Sequence, residues 1–220
     1  MSSKLTMLLA SIAGFFLALA GVTFFFWQPP SGAAGSVVAM AAHLSDHQAA
    51  NLLYVVSVFL SVVLILPVIL LLSLRLYTRR PNAAIAAGSL FVFGNILEGV
   101  ATLASLSQWA FAVPEAAKGD PLGIKIYQTI TFQYSAVDFS GVGLIYVAAV
   151  VYGVALWRVH RLSSWLLLIS TGLLIIGFAA VSVVPSISPI LTAGSIVVYG
   201  MAYVALGRAA VKLWEMTYVD

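Results

Sequence analysis

The chain has 220 residues, 62% of them hydrophobic and only 8% charged, where soluble domains average about 25% charged. This composition excludes a soluble globular domain, and the ten Lys and Arg, scattered singly between apolar runs, read as membrane-topology signals and not as a nucleic-acid face. The absence of cysteine excludes disulfides, thiolate chemistry, iron–sulfur clusters and cysteine-bound zinc.

Six stretches reach the roughly 20 apolar residues that cross about 30 Å of hydrocarbon. They predict an all-α polytopic bundle of six transmembrane helices in a single domain, residues 1–220, with spans near 5–27, 50–77, 83–112, 126–157, 163–184 and 189–213. The first, Leu5 to Trp27, outruns a signal-peptide core and reads as an uncleaved span stopped by Pro29-Pro30. Ala10, Gly14 and Ala18 recur along it every fourth residue, a spacing that lets helices approach closely, either inside the bundle or across a homodimer face.

Residues 28–51 form a long loop without Lys or Arg, irregular at Ser31 to Gly35, with a short interfacial helix expected from Val37 to Ala42. Ser45-Asp46-His47-Gln48 has the spacing of a capping box, which starts the second span near Asp46. Pro67 predicts a kink near Val63. Asn82 is the expected N-cap of the third span, which ends near Ala112 before a polar loop from Pro114 to Gly123. The fourth span, to Trp157, is longer than a bilayer needs. Ser163 or Ser164 caps the fifth, and Ser188 with Pro189 opens the sixth.

Orientation follows from the basic residues. Lys4, Arg75, Arg79, Arg80, Arg158, Arg161, Arg208 and Lys212 fall on one side of such a bundle, with only Lys118 and Lys125 on the other. The positive-inside bias puts both termini in the cytoplasm and the protein in an inner (plasma) membrane. Trp27 and Trp109 then fall at outer helix ends, and Trp157, Trp165 and Trp214 at inner ones, as expected of a residue that favours the headgroup level.

Chemistry concentrates in Gly94-Asn95-Ile96-Leu97-Glu98-Gly99, where a carboxyl and an amide interrupt an apolar run. An acid inside a span is a functional-site candidate by default. Asn95, Glu98, Thr102 and Ser105 stand at i, i+3, i+7 and i+10 and share a helix face. Glu98 lies about 24 Å from the cytoplasmic end of its helix. The fourth span carries a second stripe, Tyr127, Thr131, Tyr134 and Asp138, with Asp138 about 30 Å from the inner end. If the two helices are neighbours, Asn95, Glu98, Thr102, Tyr134 and Asp138 form one outward-facing polar cavity serving as a ligand or proton site. With no cation nearby in sequence, Glu98 is expected to be protonated or hydrogen-bonded to Asn95, Thr102 or a tyrosine. The competing reading is a buried network that only orients helices.

His43 and His47 make an H-x-x-x-H spacing with Asp46 between them. On one continuous helix this spacing binds zinc, but a cap at Ser45 falls between the two and leaves them as loop histidines. There is no histidine inside a span for haem, no mid-span lysine for a retinal Schiff base, no Gly-rich phosphate loop and no serine-hydrolase motif, so no cofactor and no catalytic residue is expected.

From His43 onward the layout resembles a family of six-helix bacterial integral membrane proteins of unknown function. The likeness rests on the long outer loop after the first helix, Ser45-Asp46-His47-Gln48, Gly94-Asn95, and Leu144 to Phe178 with its central Leu156-Trp157-Arg158 and Gly172-Leu173-Leu174-Ile175-Ile176-Gly177. The resemblance implies a fold without an activity. Three functions are in competition. The first is a non-catalytic protein whose cavity binds a lipid, a small apolar molecule or another membrane subunit, with membrane lipids and a homo-oligomer or larger membrane complex as partners and no nucleic acid. The second is a proton- or cation-coupled transporter using Glu98 and Asp138. The third is an intramembrane lipid-modifying enzyme.

Overall fold

Each span expected from the sequence folds, as far as its residues are described, as one α-helix in the computed structural model, which describes residues 1–27, 36–180 and 188–217. The elements are α1 (Ser3–Trp27), α2 (Val37–Asp46), α3 (Gln48–Tyr77), α4 (Pro81–Ala117), α5 (Pro121–Leu156), α6 (Arg161–Ala180) and α7 (Ser188–Thr217). All but α2 are long and apolar enough to cross a membrane. The chain is a multi-pass helical membrane protein.

The six long helices close into a ring, in which α1 packs on α3, α3 on α4, α4 on α5, α5 on α6, α6 on α7 and α7 back on α1. Contacts between α3 and α7 cross the ring. Successive members run antiparallel, so the α3–α4 and α5–α6 turns share one end with the start of α1 and the end of α7. That end carries Arg79, Arg80, Arg158 and Arg161 and is called the basic end below. The opposite end carries α2.

Small residues set the tightest crossings. A Cβ placed on Gly200 of α7 would stand 2.6 Å from the Gly14 carbonyl oxygen and 2.8 Å from the Ala18 nitrogen of α1, and one on Gly207 would stand 2.5 Å from the Ala10 Cβ. The Ala10, Gly14, Ala18 stripe is therefore seated on α7 of the same chain. A similar crossing joins α4 to α5, where a Cβ on Gly94 would meet the Gly141 carbonyl oxygen at 2.8 Å.

Toward the basic end the ring is filled. Ile65, Val68, Leu72, Phe91, Tyr152 and Leu206 are among the fully buried members of one apolar core. Tyr152 brings its hydroxyl 2.5 Å from the Ser73 Oγ, and Arg75 donates to the Ala210 carbonyl and lies over the Trp214 ring, 4.5 Å from its centroid. Arg75, counted above as a cation at the membrane surface, is buried.

Several helix ends differ from the sequence reading. No Ser45 cap forms, because α2 continues to Asp46 and α3 starts at Gln48 with His47 between them. The cap of α2 is Ser36, whose side chain accepts from the Ala39 N–H at 3.3 Å. Asn82 lies inside α4, which begins at Pro81 with Arg80 before it. The expected loop at Pro114 is helix as far as Ala117. Ala112, Val113 and Ala116 bury this last stretch against Ala41 and Leu44 of α2 and Tyr127 of α5, and that burial outweighs the single hydrogen bond lost at the proline. Asp120 then caps α5, accepting from the Gly123 N–H at 2.6 Å.

α6 starts at Arg161, and its first turn is held by His160 and not by Ser163 or Ser164 as caps. The His160 Nδ1 accepts from the Ser163 N–H at 3.3 Å and lies 2.7 Å from the Ser163 Oγ. α3 runs on through Pro67. The expected stop at Pro29-Pro30, the irregular stretch Ser31 to Gly35 and the connection through Pro185 lie outside the described residues.

Candidate functional site

The Gly94–Gly141 crossing fixes where the two acids meet. With α4 and α5 this close, the helix faces one turn further along oppose each other, and the Glu98 carboxyl comes within hydrogen-bond reach of the Asp138 carboxyl. Two ionised carboxylates have only acceptors, so this contact is a hydrogen bond only with a proton between them. Glu98 is 8% exposed and its Oε2 is reached by no donor. Asp138 is half-buried.

The expected partners of Glu98 are otherwise engaged. Asn95 donates its amide to the Phe91 carbonyl at 2.7 Å, and Thr102 donates its hydroxyl to the Glu98 carbonyl at 2.7 Å. Short polar side chains on a helix satisfy themselves on the carbonyl one turn back, which leaves the Glu98 carboxyl for the neighbouring helix. The Asn95 Oδ1 is buried without a donor.

The pair lines a cavity of about 310 Å³ to which all six long helices contribute, from Leu17 and Phe24 on α1 round to Tyr199 and Tyr203 on α7. The cavity occupies the half of the ring nearer α2, above the filled core. Asn95, Glu98 and Asp138 are in its wall; Thr102 and Tyr134 are not. Tyr134 stands close to Asp138 and Glu98, and Thr102 is buried on the same face of α4. The two polar stripes continue to meet further toward α2, where Gln108 donates to the Thr131 Oγ1 at 2.8 Å.

The other polar groups in the wall were not singled out from the sequence. Ser61 donates to the Val58 carbonyl at 2.8 Å. The Tyr146 hydroxyl lies 2.7 Å from the Ser195 Oγ, which itself donates to the Ser170 carbonyl at 2.8 Å and so ties α5, α6 and α7 together. Tyr146 and Tyr199 stack with ring centroids 5.1 Å apart, and Tyr199 meets Tyr203 edge-on at 5.2 Å. A signal existed: Tyr146, Tyr199 and Tyr203 lie deep inside apolar spans, where a phenol needs a buried partner.

A scan of family models, a search of curated proteins and a search of solved structures each returned no match. No family is identified, and of the resemblance noted above what stands is the layout of six long apolar helices.

His43 and His47 sit where α2 passes into α3 and do not line the cavity. Their rings stack with centroids 4.2 Å apart, and a ring nitrogen of His47 lies 2.9 Å from the His43 carbonyl oxygen. Among the described residues no three His, Cys, Asp or Glu side chains converge as a metal site.

Proposed function

We propose that this is a non-catalytic membrane protein that binds a lipid or a small, largely apolar molecule in the cavity between its six spans. One observation carries the reading: a cavity of about 310 Å³, within the size range of small-molecule sites, is apolar over most of its wall and keeps Glu98 and Asn95 oxygens without donors. Buried polar atoms left open cost stability unless something pairs with them. The basic residues orient the chain with both termini in the cytoplasm of a plasma membrane, which puts the cavity in the outer half. Membrane lipids are the expected surroundings, and the Ala10, Gly14, Ala18 stripe, seated on α7, leaves other faces for a homo-oligomer or larger membrane complex.

Native mass spectrometry of protein released from mild detergent tests the reading. Wild type is expected to retain a noncovalent small molecule or lipid that the cavity-filling variant Val58→Trp loses. Retention of the same species by both would refute it.

A second reading, a proton-coupled carrier, is favoured by the Glu98–Asp138 contact, since a shared proton is what such a carrier moves. It predicts that Glu98→Gln abolishes a pH-driven flux in proteoliposomes and leaves the unfolding midpoint near wild type.

A further inference from the structure

The chemistry of the cavity narrows the ligand. Its wall contains no Lys, Arg or His, and beside the acids donors are spent on the backbone while acceptors stay open. The Asn95 amide and the Ser61 hydroxyl both donate to backbone carbonyls, whereas the Asn95 Oδ1 and the Glu98 Oε2 have nothing donating to them. Around these acceptors stand Phe24, Tyr54, Tyr146, Phe178, Tyr199 and Tyr203. Aromatic faces attract a desolvated cation, and carboxyl oxygens attract it more strongly still. A group that donates hydrogen bonds and carries positive charge satisfies both features; an anion satisfies neither.

A route is also present. At the basic end α5 and α6 touch closely, since a Cβ on Gly153 would stand 3.1 Å from Leu168, but on Gly143, nearer α2, it would meet nothing within 4 Å. The helices part there into a groove of about 300 Å³, apolar except for Thr171 and Tyr146, with Phe139 and Phe178 in edge-on contact beside it. Val142, Tyr146, Leu174 and Phe178 belong to both the groove and the cavity. These shared side chains form the partition between groove and cavity.

We propose that the cavity takes a lipophilic amine in its ammonium form, drawn sideways out of the bilayer between α5 and α6, with its head on Glu98 and Asp138 and its chain in the groove. The assignment rests on the reading of the cavity as a ligand site and names that ligand's class.

The test titrates the full-length protein in nonionic detergent with three probes of one chain length, dodecylamine, dodecanol and dodecanoate, and reads adducts by native mass spectrometry. The amine is expected to bind as one adduct per chain, at least about tenfold tighter than the alcohol, with the carboxylate weakest. The amine preference is expected to vanish in Glu98→Gln/Asp138→Asn. Persistence of the preference in that variant would overturn the assignment of the head, as would equal binding of all three probes to wild type, which leaves the cavity reading standing. Binding of none, together with no retained native ligand, would sink both. Val142→Phe keeps the acid pair and fills the wall between groove and cavity, so it guards against misfolding of the acid variants. It is expected to lose the amine adduct, and unchanged binding would refute the sideways route.

Discussion

The position of the acid pair depends on how closely α4 approaches α5, and Gly94→Ala tests that dependence. A Cβ on Gly94 would lie 2.8 Å from the Gly141 carbonyl oxygen and 3.0 Å from the Ile145 nitrogen, where ordinary contact begins near 3.4 Å. Both neighbours are backbone, so no rotamer change relieves the clash and the helices must part by about 0.6 Å. Overpacking of this kind costs about 1–3 kcal/mol, against a gain of up to about 1 kcal/mol from replacing a helical glycine by alanine. The net expectation is a loss centred on about 1 kcal/mol. Gly143→Ala, two residues from Gly141 on α5, meets no atom within 4 Å and should show only the gain. Thermal unfolding in mild detergent is the assay, with Gly143→Ala at or above wild type and Gly94→Ala below it. The parting also lengthens the Glu98–Asp138 contact, so the carboxyl stretch found by infrared difference between each protein and its Glu98→Gln derivative should shift in Gly94→Ala and stay put in Gly143→Ala. Equal midpoints and equal stretches for the two alanine variants would refute the close crossing.

Glu98→Gln should leave the unfolding midpoint unchanged or raise it, because the new amide donates to the Asp138 carboxylate; a drop comparable to Glu98→Leu would mean the acids are not in contact. Gln108→Leu and Thr131→Val each break the 2.8 Å bond between α4 and α5 and should cost about 1 kcal/mol, with a double-mutant cycle returning non-additivity and additive losses arguing against the bond. Burial, and then the Lys212 and Arg208 charges, hold the His160 imidazole below its usual range. Its contribution as acceptor for the Ser163 N–H is therefore fully present above the unfolded-state value near 6.5 and lost as pH falls through the lower folded-state value. His160→Ala should flatten the pH dependence of the unfolding midpoint across that window, and an unaltered slope would rule the cap out.

The spans were legible in the sequence because apolar length is a property of each segment alone. Glu98 and Asp138 were legible because a charged side chain in an apolar run needs no structure to stand out. Their contact was not. It depends on Gly94 and Gly141 being opposite one another, and two glycines in different helices carry no mark of pairing. Of the alternatives expected for Glu98, a protonated carboxyl or one bonded to Asn95, Thr102 or a tyrosine, the Asn95 and Thr102 bonds do not form for a local reason: each reaches a carbonyl of its own helix first. Helix ends were missed at Pro114, where burial against α2 decided the end, and at His160, where a histidine ring took the capping place before α6. The tyrosines of the wall were passed over because aromatic residues are common in spans, although three of them lay well away from the headgroup level.

The packing of the two halves bears on which functional reading asks less of the molecule. Along every long helix the wall of the cavity gives way, one turn toward the basic end, to side chains with almost no exposure: Ala13 after Leu17, Ile65 after Val62, Phe91 after Asn95, Ala149 after Tyr146, Ser170 after Leu174, Leu206 after Tyr203. Tyr199 and Tyr203 belong both to this core and to the cavity and form its floor. A carrier needs a second state in which that core opens toward the basic end, and each buried Leu or Phe brought into water would cost about 1.5–3 kcal/mol. Two glycine crossings, α1 on α7 and α4 on α5, would have to slide in the same transition. Binding from the side of α5 and α6 asks only that Phe178, Val142 and their neighbours change rotamer between a groove and a cavity already in place. These costs favour the proposed dead-end site, reached from the bilayer with the acid pair holding a ligand's head, over a carrier that passes a proton through the ring.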